Sequence, residues 1–288
     1  MAPLLPQPHI MPYTPEHRSA IEFLMHHMHR VHYHLDWYAM EEWFSQTHPP
    51  SVVAYRDGEM IGALLFTPPH AHITWLRMVA LHNQATSADF NSLMQAAIEI
   101  ATQHDIEEIL SLEMDSWLGN LLLANRYILI DKIIHYKRPA GLPIPECSSQ
   151  YRIIHLFYSE PIDVLEARLV DHAAFEPRWQ MQDDDFYAIG EASDLFIAVF
   201  FEQQIIGYLI ASLYDEDMVH LSRIATDPNF QHRGVGMAMM HHLFSAYPQK
   251  AVTVNTQQTN IRSQRFYEKL QFQKLPYYHP VWLRKINT

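Results

Sequence analysis

The chain repeats itself, and the repeat limits what it can fold into. "WLRMVA" (Trp75–Ala80) and "LSRIAT" (Leu221–Thr226) lie over each other without a gap, which places Arg77 on Arg223. Ahead of them, Ala54…Gly62 matches Ala198…Gly207 with one residue of slack. A weak repeat of roughly 140 residues in a chain of 288 points to duplication of one domain. Each copy runs through a helix-patterned stretch, two strands in tight succession, a further strand and an apolar-faced helix. That order describes a mixed α/β domain.

The elements follow from periodicity and breakers. In the first copy, "IEFLMHHMHRVHYHLDWYAMEEWF" reads as helix. "SVVAYRDGEMIGALLF" is a hairpin turning at Asp57-Gly58. "HITWLRMVAL" is a strand, and "ADFNSLMQAAIEIATQH" carries apolar residues at helical spacing. In the second copy, "PIDVLEARLVDHAAF" is a helix with Ile162, Leu165 and Leu169 on one face. A strand pair turns near Glu202–Gln204, and "MVHLSRIATD", "AVTVNT" and "VWLRKI" are strands. "VGMAMMHHLFSAY" and "SQRFYEKL" are helices. Between the copies, Lys137–Gln150 holds three prolines and a glycine without periodicity. The expected division is a first domain at 1–138, a linker at 139–150 and a second domain at 151–288.

Composition excludes several function classes. A formal charge of −12 argues against nucleic acid, whose phosphates need a basic face. No apolar run reaches the roughly 18 residues of a membrane span, and the N-terminus lacks a secretory pattern, so a cytoplasmic protein is expected. The single cysteine, Cys147, allows no intrachain disulfide and sits in the Pro-rich linker with no His beside it. Five of the twenty histidines crowd into "HHMHRVHYH", where His29 and His32 have the spacing of ligands on one helix face. No cysteine or carboxylate joins them at a matching spacing, so no metal is expected.

The chemistry lies in "TDPNFQHRGVGM", Thr226–Met237. A strand ends near Thr226, and Asp227-Pro228 breaks it. Gly234 and Gly236, two of only eight glycines, precede or open a helix near Val235. Glycine lets backbone N–H groups turn inward, and a helix start adds unpaired donors and the positive end of its dipole. The result is a cradle for a phosphate or pyrophosphate, with Arg233 able to add charge.

Gln231, Gly234 and Gly236 at a strand-to-helix turn resemble the acetyl-coenzyme A loop of the GCN5-related N-acetyltransferases (GNATs). Downstream, Asn260, Tyr267 and Phe272 resemble the family's next motif, although Gln271 stands where the family usually has Gly. The resemblance implies two tandem GNAT folds, each a mostly antiparallel twisted mixed sheet flanked by helices. It covers the second half strongly and the first weakly. Ala85, Ala88 and Phe90 fall over the loop's Gln and two Gly, so the first copy is expected to be degenerate and without cofactor.

What the resemblance implies is an acetyl-CoA-dependent N-acetyltransferase. An amine, on a small molecule or a peptide, attacks the thioester directly. The pantetheine arm would lie along Ile224, Ala225 and Thr226. The pyrophosphate would take the N–H groups of Gln231, His232, Arg233, Gly234, Val235, Gly236 and Met237. Asn260 and Ser263 would contact the cofactor, and Asn260 also has the position of a helix cap. Tyr267 is the candidate acid for the departing thiolate. His220 stands where lysine-acetylating relatives carry a Glu, and it is the candidate base. A non-catalytic acyl-CoA-binding sensor is the alternative. The acceptor and the oligomeric state have no motif in the chain.

Overall fold

A computed structural model describes residues 6–35, 39–147, 151–156 and 161–286. The chain forms two compact units, one drawn from Met1–Asp131 with His279–Thr288 and the other from Lys132–Tyr278. The first unit contains β1 (His9–Pro12), α1 (Arg18–His27), β2 (Arg30–Tyr33), α2 (Met40–Ser45), β3 (Val52–Arg56), β4 (Glu59–Phe66), β5 (Ile73–Leu81), α3 (Ser87–Gln103), β6 (Glu108–Leu112) and α4 (Ser116–Ala124). Then follow β7 (Ile128–Arg138), β8 (Arg152–His155), α5 (Pro161–Ala174), α6 (Asp183–Ala192), β9 (Leu195–Phe201) and β10 (Gln204–Asp215). The chain ends with β11 (Met218–Thr226), α7 (Val235–Ala246), β12 (Ala251–Gln257), α8 (Ile261–Lys269) and β13 (Gln273–Lys285). No helix among the described residues is long and apolar enough to cross a membrane.

In the first unit, β1, β3, β4 and β5 pair antiparallel in that order, and β5 pairs parallel with β6. The far side of β6 takes Val281–Lys285 of β13, antiparallel. In the second unit, β8, β9, β10 and β11 are antiparallel, β11 and β12 are parallel, and Ile133–Arg138 of β7 lies antiparallel on β12. The β3–β4 turn has positive φ at both Asp57 (52°) and Gly58 (85°), the backbone that a two-residue hairpin turn requires.

Each sheet is covered on both faces. One face of the first unit packs Leu64, Leu76, Val79 and Leu81 against Phe90, Leu93 and Met94 of α3 and Leu118 and Leu122 of α4. Its other face meets Ile21 and Leu24 of α1 and Trp43 and Phe44 of α2. In the second unit, Val219, Leu221, Val252 and Val254 pack against Met239, Leu243 and Tyr267 of α7 and α8. The repeat is visible in two glycines. A Cβ on Gly62 would come within 2.8 Å of the Leu93 side chain, and one on Gly207 within 2.8 Å of Val235. Each glycine therefore lets a helix press on its sheet.

Three expectations are corrected. The stretch from Ile21 to Phe44 is not one helix, because α1 stops at His27 and Arg30–Tyr33 become a strand paired with β5. Open backbone groups on β5 outweigh the helical spacing of His29 and His32. Arg77 does not fall on Arg223. Leu81 faces Gly62 as Thr226 faces Gly207, and the bulge in β5 falls at Arg77 while that in β11 falls at Ser222. The two halves therefore align one residue away from the sequence match. The helix expected there forms as α5, whose buried residues are Val164, Ala167, Val170 and Asp171, while Leu165 and Leu169 are exposed. The strand "VWLRKI" closes the sheet of the first unit and not that of the second.

At the end of α8, Gln271 sits in the left-handed region at φ 65°, and the Phe272 amide donates to the Tyr267 carbonyl at 3.0 Å. A side chain in that region costs roughly 1 kcal/mol that glycine does not. Gln271→Gly should therefore raise stability by about 0.5–1 kcal/mol in a thermal melt. A lowered midpoint would contradict this reading of the turn.

Candidate active site

The site of the second unit begins with a ladder that stops early. β11 pairs with β12 only from Met218–Leu221 to Ala251–Val254. Beyond that, Arg223–Thr226 stay paired with β10, and Asn255–Gln257 stay paired with β7. The two strands diverge into a wedge. The bulge at Ser222, where Leu221 and Arg223 pair with Ala211 and Ile210, bends β11 away at that point. Along Ile224–Thr226 the outer edge of β11 has no strand partner among the described residues. An extended ligand can take those backbone groups as an added strand would.

The wide end of the wedge faces two helix starts. Asp227 caps a short turn by accepting from the Asn229 amide at 2.8 Å. The loop then runs through His232 at φ 62° to Gly234, the N-cap of α7, at φ 86°. Glycine adopts that backbone without strain, so the first amides of α7 are turned toward the loop. Gly236 serves packing, since a Cβ there would meet the Phe266 ring at 3.3 Å. Val235 buries its side chain against Gly207, which leaves its amide for the cradle. Met237 packs against the core beneath α7. Arg233 turns to the Phe230 ring at 5.3 Å and, with Tyr151, Arg152 and Met237, lines an open hollow of about 760 Å³.

The other named residues fall around the same wedge. Ile224 packs into the core, Ala225 is buried, and the Thr226 carbonyl accepts from Gln231 Nε2 at 3.3 Å. Asn260 caps α8, its Oδ1 accepting from the Ser263 amide at 3.1 Å. Tyr267, two turns beyond Asn260, is buried between Tyr136 and Phe272, and burial holds its pKa well above the ordinary phenol value, with Arg223 pulling the other way. His220 lies between Val219 and Leu221, both packed on the Tyr267 side, so its ring projects from the opposite face. Its Nδ1 lies 3.0 Å from Thr253 Oγ1, and burial lowers its pKa below 6.5.

Sequence reading missed three features. Arg262, in the first turn of α8, bonds Gln231 Oε1 and lies 2.8 Å from His232 Nε2. It brings a guanidinium to the anion cradle from the second helix. Thr253 orients His220, but only the β11–β12 register reveals it. Asp171 is fully buried on α5 and pairs with Arg223 Nε at 2.8 Å and with the Tyr208 hydroxyl. Arg223 also stacks on Phe175 at 3.9 Å and bonds the Trp179 carbonyl. The pair ties α5 and the segment after it to β11 beside the wedge. Among the described residues no group of three His, Cys, Asp or Glu is placed to hold a metal.

A mixed sheet with a wedge between two parallel strands, and a glycine-capped helix at its mouth, is the arrangement the sequence resemblance implies for the second half. The comparisons agree. Residues 162–272 match the acetyltransferase (GNAT) family. The chain resembles a tandem GNAT protein from the clavulanic acid biosynthesis pathway, with TM-score 0.64 and 13% identity over 98% of this chain and 99% of that one. It resembles a GCN5-related N-acetyltransferase from Sphaerobacter thermophilus, with TM-score 0.60 and 13% identity over 99% and 98%. A third, from Anabaena variabilis, has TM-score 0.69 and 12% identity over 98% of this chain and 73% of that one. Among curated proteins none matches the sequence. The second half thus carries a match to the GNAT family over residues 162–272, and the fold is that of tandem GNAT proteins over nearly the whole length.

Removing one partner of a buried pair leaves the other charge unpaired, at about 3–5 kcal/mol. Asp171→Ala should lose stability on that scale in denaturant unfolding, and a loss under 1 kcal/mol would remove the pair from this account.

Proposed function

We propose that the second unit transfers an acetyl group from acetyl-CoA to a primary amine. The observation that carries this reading is the wedge between β11 and β12 with the Gly234-capped helix at its mouth. The residues fit the cofactor: amides from Gln231 to Met237 and the Arg262 guanidinium for the pyrophosphate, and the open edge of Ile224–Thr226 for the pantetheine arm. Asn260 and Ser263 close the groove from α8. When bound, acetyl-CoA supplies an acyl thioester, whose carbonyl carbon is the electrophile.

His220 and Tyr267 then act from opposite faces of the sheet. Burial keeps His220 neutral near pH 7, and Thr253 is placed to accept its Nδ1 proton. That tautomer leaves Nε2 free to take the proton the attacking amine sheds. Burial keeps Tyr267 protonated, so its hydroxyl can donate to the sulfur as the carbon–sulfur bond breaks. The new carbon–nitrogen bond replaces the carbon–sulfur bond, and no metal or redox step is needed. Thr253, Lys137, Asn255 and His135 share the His220 face by their strand register, and they form the floor an acceptor would meet.

The test is release of free thiol from acetyl-CoA across a panel of small amines and amine-bearing peptides. Tyr267→Phe should lower kcat by roughly 10²–10⁴ with coenzyme A affinity retained. Undiminished turnover would take Tyr267 out of the mechanism, and tight cofactor binding without turnover for any amine would favour a sensor. The pH profile gives an independent check. His220 works in its neutral form, and its pKa is lowered, so the acid limb of kcat/KM should have its midpoint below pH 6.5 and vanish in His220→Ala. An acid limb that persists in that variant would assign the base elsewhere.

A further inference from the structure

The first unit has the same early-ending ladder. β5 pairs parallel with β6 only from Ile73–Leu76 to Glu108–Ser111. With Leu81 in the place of Thr226, Val79–Leu81 are the counterparts of Ile224–Thr226. A wedge should open beside them, as it does in the second unit. It is filled by β2. Arg30, Val31, His32 and Tyr33 pair antiparallel with Leu81, Ala80, Val79 and Met78. The edge that the second unit leaves open is therefore hydrogen-bonded within the chain.

The side chains continue the substitution. His32 is fully buried, and its Nδ1 lies 3.2 Å from Asp115 Oδ2. Asp115 is the N-cap of α4, as Asn260 is of α8. Arg30 donates to the carbonyls of His82 at 3.0 Å and Ala85 at 2.5 Å. These lie in the turn His82–Thr86, five residues against the eight of Asp227–Gly234. That turn offers carbonyls to a cation, where the second unit offers amides to an anion. At the start of α3, the Asp89 carboxylate accepts from the Thr86 amide at 2.7 Å and pairs with Arg56. Burial of Asp89 disfavours its charge, but the bonds from Thr86 and Arg56 hold its pKa below the usual carboxylate range. An internal carboxylate thus sits at the helix start in place of a phosphate.

We propose that β2, with Arg30, His32 and the Asp89 carboxylate, is the first unit's own replacement for acyl-CoA: a strand for the pantetheine arm and a carboxylate for the pyrophosphate. The first unit then holds its GNAT fold with no cofactor, and the chain takes one acyl-CoA. The inference rests on Ile224–Thr226 being the seat of the arm in the second unit. It accounts for the buried His32 and the half-buried Arg30 in "HHMHRVHYH", which composition alone leaves without a role.

Amide hydrogen exchange on the full chain, with and without coenzyme A, tests it. Peptides covering Arg30–Tyr33 and Val79–Leu81 should exchange slowly without coenzyme A and at the same rate with it. Ile224–Thr226 should slow on addition, by up to about 100-fold at 100 times Kd. Slowing at Val79–Leu81 on addition, or fast exchange there without ligand, overturns the role of β2 alone. Unchanged exchange at Ile224–Thr226 overturns the seat of the arm and the proposal with it. Asp115→Ala releases the anchor of β2 and should speed exchange at Arg30–Tyr33 and Val79–Leu81 by about tenfold, with coenzyme A affinity unaltered. Unchanged exchange in that variant would remove Asp115 from the anchor.

Discussion

The premature end of the parallel ladder after Leu221 is the constraint on which the rest of the site depends. Two parallel strands that stay paired leave no backbone free. Here β11 follows β10, β12 follows β7, and the four-residue ladder between them marks the point of the wedge. Everything proposed for function is arranged about that opening: the Gly234 cap at its mouth, Asn260 on its α8 side, and His220 and Tyr267 on its two faces. The bulge at Ser222 lets the strand bend while Val219, Leu221 and Ile224 keep their places in one core.

The same opening is a liability, because unpaired backbone must find a partner. The two units meet that demand differently. The second leaves the edge along Ile224–Thr226 without a strand partner among the described residues, where the proposed cofactor would lie, and stabilises the neighbouring structure with the buried Asp171–Arg223–Tyr208 network. The first meets it with β2. A duplicated fold can thus keep its architecture after losing its glycine loop, provided that something of the chain's own occupies the groove.

Much of this was legible in the sequence, and the failures have physical causes. The hairpins, α3, α7 and α8 are local, and turn residues and helical periodicity reveal them. The loop and the downstream motif on which the proposal rests are local patterns, Gly234 ahead of α7 and the Asn260–Tyr267 spacing, so the sequence alone displays them. The register of the repeat was read one residue out, since nothing in "WLRMVA" or "LSRIAT" marks which residue bulges. The helical spacing of His29 and His32 predicts helix across β2, while its strand state comes from the edge of β5 more than forty residues on. β6 and β7 carry no local strand signal: β6 is held between β5 and β13, and β7 by β12 more than a hundred residues on. Arg262 escaped notice because its part is set by contact with Gln231 and His232 across the fold.

The central claim is that the loop ending at Gly234 receives the pyrophosphate of an acyl-CoA. Titration calorimetry of coenzyme A into the wild-type chain and into Gly234→Glu addresses it directly. The substitution puts a side chain into a backbone at φ 86° and a negative charge at the helix start. The account predicts one site per chain in the wild type and a loss of at least about 100-fold in affinity in the variant, roughly 2.7 kcal/mol. Equal affinity in the two chains would contradict it.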